Sequence, residues 1–318
     1  MSEETFGISP EVQGGTKPSS SGFPENVFLN KTGLRAGWRF LIYIVIVVVL
    51  WTAAVMVVRQ FLRPERGVFS PGIQLLGESV SLLVVFFAAL LMAKLEGRSA
   101  GVYGFPVSAA FGKLFGQGCL FGLFEISAVI GLIASFGGYS FGGLAEQGGA
   151  MVRWGLFWVL FFVVVGLFEE FFFRGYALYT LADGVGFWPA AVLLSACFGA
   201  VHIKNEGETW TGVAGVVVSG LLWSFTLKRT GSLWFALGMH ASFDFGETFL
   251  FSVPDSGMVF PGHLSNATLH GPRWLTGGTA GPEAGAFDFL ILGLIFYAVH
   301  RLYPPKQKPK GPTEEIPI

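Results

Sequence analysis

Charged residues are scarce in this sequence. Asp, Glu, Lys and Arg together make up 13% of its 318 residues, whereas soluble domains carry about 25%. The formal net charge is −1, so the composition gives no indication of nucleic-acid binding. The two cysteines, Cys119 and Cys197, lie inside apolar stretches, and this excludes a disulfide framework or a cysteine metal site. We interpret them as small packing residues.

Apolar residues are abundant instead. They make up 52% of the chain, which contains 34 Phe and 45 Gly. Glycine is frequent in membrane helices because small residues let helices approach closely. A membrane span needs about 20 mostly apolar residues, and eight segments approach this, at 38–58, 73–93, 114–136, 153–182, 187–202, 211–227, 233–251 and 287–303. The sequence therefore predicts an all-α, polytopic membrane helical bundle of about eight transmembrane helices.

The composition of each segment predicts how the rest of the chain is organised. Residues 1–33, rich in Ser, Gly, Pro and Glu, predict a disordered N-terminal tail. Residues 34–150 hold the N-terminal spans and residues 151–252 the most polar ones. We expect an extramembrane loop at the Gly- and Pro-rich residues 253–286, a last span at 287–304 and a basic tail at 305–318.

Basic residues near the span ends predict the orientation. Eight spans place both termini on one side, and that side carries most of them: Lys31, Arg35, Arg39, Lys94, Arg98, Lys113, Lys228, Arg229 and Arg301. We expect a multi-pass protein of the cell membrane with both termini in the cytoplasm. The first loop argues against this orientation, since it carries Arg59, Arg63 and Arg66.

Small residues recur four positions apart on three predicted spans. The pairs are Gly112 and Gly116, Gly118 and Gly122, and Gly215 and Ser219. This spacing is typical of close helix contacts in membranes.

The fourth span contains two adjacent carboxyl groups and a guanidinium group. An ionisable residue inside a span indicates function, because its burial is costly. On a helix Glu170 and Arg174 share a face and can form an ion pair. Glu169 points about 100° away and stays free to act as a general base. The alternative is a purely structural pair, with Glu169 facing a water-filled cavity.

Two further motifs carry histidine. Phe198 precedes His202 by one helical turn, and Gly199 permits close packing beside that histidine. His240 and Asp244 lie four positions apart on one helical face, so that the carboxylate can orient the imidazole. Alone, His202 could be an interfacial residue, and His240 with Asp244 a buried polar pair. At about 1.5 Å per residue, however, Glu169, His202, His240 and Asp244 reach similar depths, which predicts one shared site.

Together the three motifs resemble those of the CPBP family of intramembrane endopeptidases, the CaaX protease or Abi family that includes Ras-converting CaaX endopeptidase-like proteins. The motifs are Glu169-Glu170-x-x-x-Arg174, Phe198-x-x-x-His202 and His240-x-x-x-Asp244. The resemblance covers residues 152 to 250 and identifies 151–252 as the catalytic core. It implies an intramembrane endopeptidase that acts on a membrane-associated or C-terminal CaaX-like protein or peptide substrate, from a conical cavity open to water and lipid.

The resemblance also implies roles for these residues. Glu169 and His202 would activate the hydrolytic water, His240 and Asp244 would stabilise the oxyanion, and Glu170 and Arg174 would brace the site. Asn is common at the last motif position, and an ionised Asp only accepts hydrogen bonds. Asp244 would therefore orient His240 or be protonated.

Two mechanisms are compatible with the resemblance. A divalent metal such as zinc would be held by Glu169, His202 and His240. We favour glutamate catalysis without a cofactor, because each of these ligands comes from a different span.

Two other functions remain open on the sequence. A proton-coupled transporter would use Glu78, Glu125, Glu169, Glu170 and Asp244 as a relay, although the chain lacks the internal repeat of many transporters. A non-catalytic scaffold with the same fold would bind other membrane proteins. Glu78 and Glu125 receive no role in the peptidase hypothesis.

Overall fold

A computed structural model describes residues 27–30, 33–62, 70–99 and 103–305. Most of the predicted N-terminal tail, Arg63 and Arg66 of the first loop, and most of the basic C-terminal tail lie outside the described residues.

The described residues fold almost entirely into helices. The helices are α1 (Ala36–Phe61), α2 (Pro71–Leu95), α3 (Lys113–Ser135), α4 (Gly148–Arg174), α5 (Tyr176–Val185), α6 (Phe187–His202), α7 (Trp210–Thr230), α8 (Trp234–Phe245), α9 (Arg273–Thr276) and α10 (Ala286–Leu302). A π-helix (Gly246–Leu250) continues α8, and short 3-10 helices occupy Val107–Ala109 and Pro282–Ala284. Two small antiparallel pairs join β1 (Leu29–Asn30) to β2 (Gly33–Leu34) and β3 (Tyr139–Ser140) to β4 (Thr268–Leu269).

Each of the eight predicted apolar segments coincides with a helix, but the fourth is divided. Gly175 separates α4 from α5, and a Cβ at that position would lie 2.3 Å from the carbonyl oxygen of Phe171. Gly186 ends α5 with a φ of +86°, which glycine adopts readily. The fourth segment is therefore a broken helix followed by a sharp turn into α6.

The prediction of a helical multi-pass membrane protein is confirmed. Five helical segments of the described chain are long and apolar enough to cross a bilayer, namely α1, α2, α3, the broken helix α4–α5 and α7. α6 is apolar but shorter, and α8 and α10 have 12 and 17 residues. The number of eight crossings stays a prediction.

Ion pairs connect several helix ends. These ends lie on the same side of the membrane if successive spans alternate in direction. Arg39 at the start of α1 contacts Glu96 after α2 at 2.8 Å and Asp183 in α5 at 3.1 Å. Arg98 contacts the same two carboxylates at 3.3 and 2.7 Å. The hydroxyl of Tyr176 donates to Glu96 as well. The first two helices are thus fixed to the end of the broken helix.

Glycines bring α3 and α8 into backbone contact. A Cβ at Gly118 or Gly122 would lie 2.1 Å from a carbonyl oxygen of α8, and one at Gly238 would lie 2.2 Å from the carbonyl oxygen of Phe115. The second predicted glycine pair therefore forms a helix contact. The first pair does not, because no atom of the described chain lies within 4 Å of a Cβ at Gly116. Gly215 packs against the backbone of Glu283.

The segment 253–286, which the sequence predicts to be an extramembrane loop, contains short structural elements and buried residues. β4 within it pairs with β3, and its buried residues include Val253, Asp255, Leu275 and Glu283. This part of the chain therefore folds inward and packs against the helices.

We predict that Gly122→Ala destabilises the protein and that Gly116→Ala does not. The new methyl group at position 122 would force α3 away from α8, at a cost of about 1–3 kcal/mol. The same substitution at position 116 meets open space and should gain up to about 1 kcal/mol of helix propensity. Thermal unfolding of the purified protein in detergent would measure both, and equal melting temperatures would contradict the contact.

Candidate functional site

One cavity of about 270 Å³ contains the predicted site. Side chains from α4, α6 and α8 line it, and they include Glu169, His202, His240 and Asp244. The structure thus brings together residues that are up to 75 positions apart in the sequence. Glu170 and Arg174, the remaining predicted site residues, lie behind this surface.

Glu170 and Arg174 form the expected ion pair. Oε1 of Glu170 accepts a hydrogen bond from Nη1 of Arg174 at 2.9 Å, and both side chains are at most 1% exposed. The guanidinium carbon of Arg174 also lies 4.4 Å from the ring centre of Phe198 and 5.2 Å from that of Trp223. A buried charge is tolerated only when it is paired, and aromatic faces add further stabilisation of the cation.

The same oxygen of Glu170 also holds His240. Nδ1 of His240 lies 3.0 Å from Oε1 of Glu170, and the imidazole stacks on Trp223 with ring centres 4.1 Å apart and planes 18° apart. Since an ionised carboxylate only accepts, Nδ1 carries hydrogen and donates to it. Glu170 therefore fixes both the orientation of the ring and which nitrogen faces the cavity.

The other nitrogen of His240 faces two carboxyl groups. Nε2 lies 3.3 Å from Oδ2 of Asp244 and 3.5 Å from Oε2 of Glu169. An attractive contact among these three groups needs at least one proton, because two ionised carboxylates and a bare nitrogen would all be acceptors. Hydrogen bonding can therefore connect His240 to Asp244 and Glu169 at the end of α4 when one of these groups carries a proton.

His202 is oriented by its own helix. Its Nδ1 lies 2.7 Å from the carbonyl oxygen of Phe198, which requires hydrogen on Nδ1 and leaves a lone pair on Nε2. The imidazole packs against the edge of Phe198 at 4.7 Å. Phe198 touches His202 on one side and Arg174 on another, and this contact explains why a phenylalanine at that spacing belongs to the motif.

Two residues of α7 that were not predicted from the sequence take part in the site. Trp223 supports both His240 and Arg174. Gly220 makes room for the guanidinium group, because a Cβ there would lie 2.5 Å from Nη2 of Arg174. Neither residue belongs to a motif. The one available signal in the sequence is that they lie about one helical turn apart on a predicted span. Gly199, as expected, packs closely against α7, with Val217 2.5 Å from its Cβ position.

Other acidic side chains also reach the cavity. Glu78 of α2 and Glu125 of α3 line it, and so do Glu247 of the π-helix, Asp255 and Glu283. The hydroxyl of Thr248 donates to Asp255 at 3.0 Å. Burial raises the pKa of Asp255, which lies outside the spans, to about 7.

The suggested metal ligands do not fit a zinc site. Throughout the described ranges no three His, Cys, Asp or Glu side chains are grouped so that they could hold a metal ion, and Glu169, His202 and His240 are no exception. We therefore derive no catalytic step through a metal.

We predict that Arg174→Met lowers the free energy of unfolding by about 3–5 kcal/mol, because it leaves the Glu170 carboxylate buried without its guanidinium partner. The double variant Arg174→Met/Glu170→Gln should recover part of this loss, since it removes the uncompensated charge. Thermal unfolding in detergent would compare the two. A double variant that is less stable than the single one would contradict the ion-pair interpretation.

We predict that Asp255 makes the folded protein less stable as the pH rises from about 4 to about 7. Its ordinary pKa is 3.8 and burial raises it to about 7, so in this window the native protein holds a proton that the unfolded chain releases, and stability falls with increasing pH. Asp255→Asn removes this dependence. The difference in melting temperature between pH 5 and pH 8 should therefore be larger for the wild type, and equal differences would contradict the assignment.

Comparison with known proteins gives two matches. The family model described as type II CAAX prenyl endopeptidase Rce1-like matches residues 151–246. The curated relative "Uncharacterized protein YyaK" of Bacillus subtilis (strain 168) is 27% identical over 152 residues, which are 45% of this chain and 46% of that protein. The match thus spans less than half of the length of this relative. All six predicted site residues lie inside residues 151–246, the region that is similar to the type II CAAX prenyl endopeptidase Rce1-like family.

Proposed function

We propose that this protein is an intramembrane endopeptidase that hydrolyses a peptide bond of a membrane-associated protein or peptide. The observation that carries the proposal is the convergence of the Glu169 carboxyl group and two imidazoles on one cavity. A family of peptidases matches the same region. Peptide hydrolysis needs a base for water and donors for the developing oxyanion, and this group of side chains can supply both.

Glu169 is the residue suited to be the general base. Its neighbour Glu170 is fully buried and occupied by Arg174 and His240, whereas 19% of the Glu169 side chain is exposed. In the proposed step the carboxylate takes a proton from water, and the resulting hydroxide attacks the substrate carbonyl. Protonated Glu169 then gives this proton to the leaving amine as the carbon–nitrogen bond breaks. His202 would orient the water, because its Nε2 has a free lone pair.

His240 is the residue suited to stabilise the oxyanion. Its Nδ1 is bound to Glu170, and in the proposed state Nε2, which faces Glu169 and Asp244, carries a hydrogen. That N–H can donate to the negative oxygen of the tetrahedral intermediate. Asp244 then acts as acceptor beside the imidazole, which resolves the difficulty of an acidic residue at the last motif position. Trp223 prevents the ring from tilting.

A proton-coupled transporter is less well supported. Four members of the predicted relay, Glu78, Glu125, Glu169 and Asp244, line the cavity, but Glu170 does not. A relay through Glu170 would have to disrupt a buried ion pair at each passage of a proton, which costs several kcal/mol. Hydrolysis leaves this pair intact.

We also propose that both termini face the cytoplasm. The ion-pair cluster of Arg39, Glu96, Arg98 and Asp183 lies at the helix ends assigned to that side, and the basic residues there support this orientation.

We predict that Glu169→Gln abolishes cleavage and leaves the fold intact. Loss of a general base costs about 10²–10⁴-fold in rate, while the amide keeps the shape of the side chain. Wild type and variant would be expressed in the same host, and the new peptide termini in its membranes identified by mass spectrometry. Termini that occur only with the wild type define the substrates, and synthetic peptides spanning them give the rates.

Matched controls separate catalysis from general damage. Glu146→Gln and His270→Ala change the same residue types outside the cavity and should cleave at the wild-type rate, whereas His202→Ala and His240→Ala should not. Melting temperatures establish that each variant is folded. Identical peptide termini from wild type and Glu169→Gln would overturn the proposal.

A further inference from the structure

Basic side chains lie at the ends of two helices that pack against each other. Lys228 and Arg229 belong to the last turn of α7, and His300 and Arg301 belong to the last turn of α10. Nη2 of Arg229 lies 2.6 Å from Nδ1 of His300. This contact brings the two pairs together at one end of the helical bundle, and we name these four residues the basic patch.

The basic patch lacks a carboxylate partner. No Asp or Glu within the described residues forms an ion pair with Lys228, Arg229 or Arg301. The ion-pair cluster near the start of α1 is different, because Arg39 and Arg98 each contact two carboxylates there. The positive charge at the ends of α7 and α10 is therefore not compensated by the described part of the chain, and it attracts anions.

Hydrogen-bond donors of the basic patch also lack acceptors. A guanidinium group only donates, so His300 accepts from Arg229 at Nδ1 and carries its own hydrogen on Nε2. Nη1 of Arg229 has no acceptor among the residues that the structure describes, although this atom is shielded from solvent. His300 itself is exposed, so its Nε2–H is a further donor at the surface. The oxygens of a phosphate group would supply the acceptors that Arg229 and His300 lack.

Aromatic rings beside the basic patch indicate that it lies at the level of the lipid headgroups. The ammonium group of Lys228 lies 4.5 Å from the ring centre of Phe187 and 5.0 Å from that of Trp188. The guanidinium carbon of Arg301 lies 5.8 Å from the ring centre of Tyr297. Trp and Tyr are enriched where a bilayer meets water, so these contacts are typical of the membrane interface.

An exposed apolar stripe on α10 leads to the basic patch. Leu290, Leu294 and Tyr297 are each more than half exposed. Together with Arg301 they follow one another at intervals of four, three and four positions, which places them on one face of the helix. From Leu290 to Arg301 the helix rises about 16 Å, close to half of the hydrocarbon thickness of about 30 Å. The stripe therefore matches the acyl chains of one leaflet and ends at a cation.

We infer that the basic patch binds the headgroup of an anionic phospholipid whose acyl chains lie along the apolar stripe of α10. The phosphate is placed at Arg229, His300 and Arg301, where guanidinium groups can bind it through paired hydrogen bonds. An anionic headgroup is preferred to a zwitterionic one, because a choline group would bring another cation to an uncompensated positive surface. No residue of the patch lines the cavity, so the inference does not depend on the proposed function.

Lipid binding to the full-length protein tests this inference. The protein, purified in a neutral detergent, is titrated with dioleoylphosphatidylglycerol or with dioleoylphosphatidylcholine, which have the same acyl chains. Native mass spectrometry counts the lipids bound to each protein molecule. We expect the first phosphatidylglycerol to bind about tenfold more tightly than the first phosphatidylcholine, since each nearby arginine favours an anionic lipid. Equal affinities of the two lipids would overturn the inference.

Matched variants locate the site. Arg229→Gln/Arg301→Gln should remove the preference for phosphatidylglycerol, whereas Lys94→Gln/Lys113→Gln, which removes two exposed charges on the same predicted side, should keep it. Melting temperatures establish that both are folded, and if the first is not, Arg301→Gln alone should reduce the preference. A preference that survives the arginine substitutions would overturn the inference.

Inorganic phosphate distinguishes a lipid site from a site for the free anion. Phosphate at millimolar concentration, compared with chloride at equal ionic strength, should leave phosphatidylglycerol bound, because it cannot replace the contacts of the acyl chains with Leu290 and Leu294. Complete displacement of the lipid by phosphate would overturn the assignment of a phospholipid as the ligand.

Discussion

A single carboxylate oxygen organises the centre of this protein. Oε1 of Glu170 accepts hydrogen bonds from Arg174 on its own helix and from His240 on α8. A buried ion pair contributes little to stability but strongly penalises arrangements in which one partner is lost. α4 and α8 can therefore pack in only one register, and that register decides where Glu169 and Asp244 lie. The aromatic rings of Phe198 and Trp223 extend the same constraint to α6 and α7.

The two adjacent glutamates thus occupy different environments. Glu170 is shielded, paired and unavailable, whereas Glu169, one position earlier, faces the cavity without a guanidinium partner. The helical rotation of about 100° between neighbours gives two identical side chains different surroundings, and it leaves Glu169 available for the proposed role as general base. The stacking of His240 on Trp223 and the local bond of His202 to its own helix give both imidazoles a defined orientation.

Regular helix geometry made much of this predictable from the sequence. The apolar segments located the helices, four-residue spacing predicted the pair of Glu170 and Arg174, and a constant rise per residue predicted that Glu169 and the histidines share a cavity. Contacts that depend on packing between distant segments were not predictable. Nothing local indicates that Gly220 accommodates a guanidinium group. The loop composition of residues 253–286 likewise conceals that Asp255 and Glu283 reach the cavity.

The backbone contact between α3 and α8 has a consequence for the candidate site. The region shared with the family begins at residue 151, yet Gly118 and Gly122 of α3 lie directly on the helix that carries His240. The position of His240 therefore depends on packing against a helix that lies outside the matched region. A larger side chain on the face of α3 that touches α8 would displace the helix that carries His240 and Asp244, so residues without any part in the three motifs still determine the shape of the cavity.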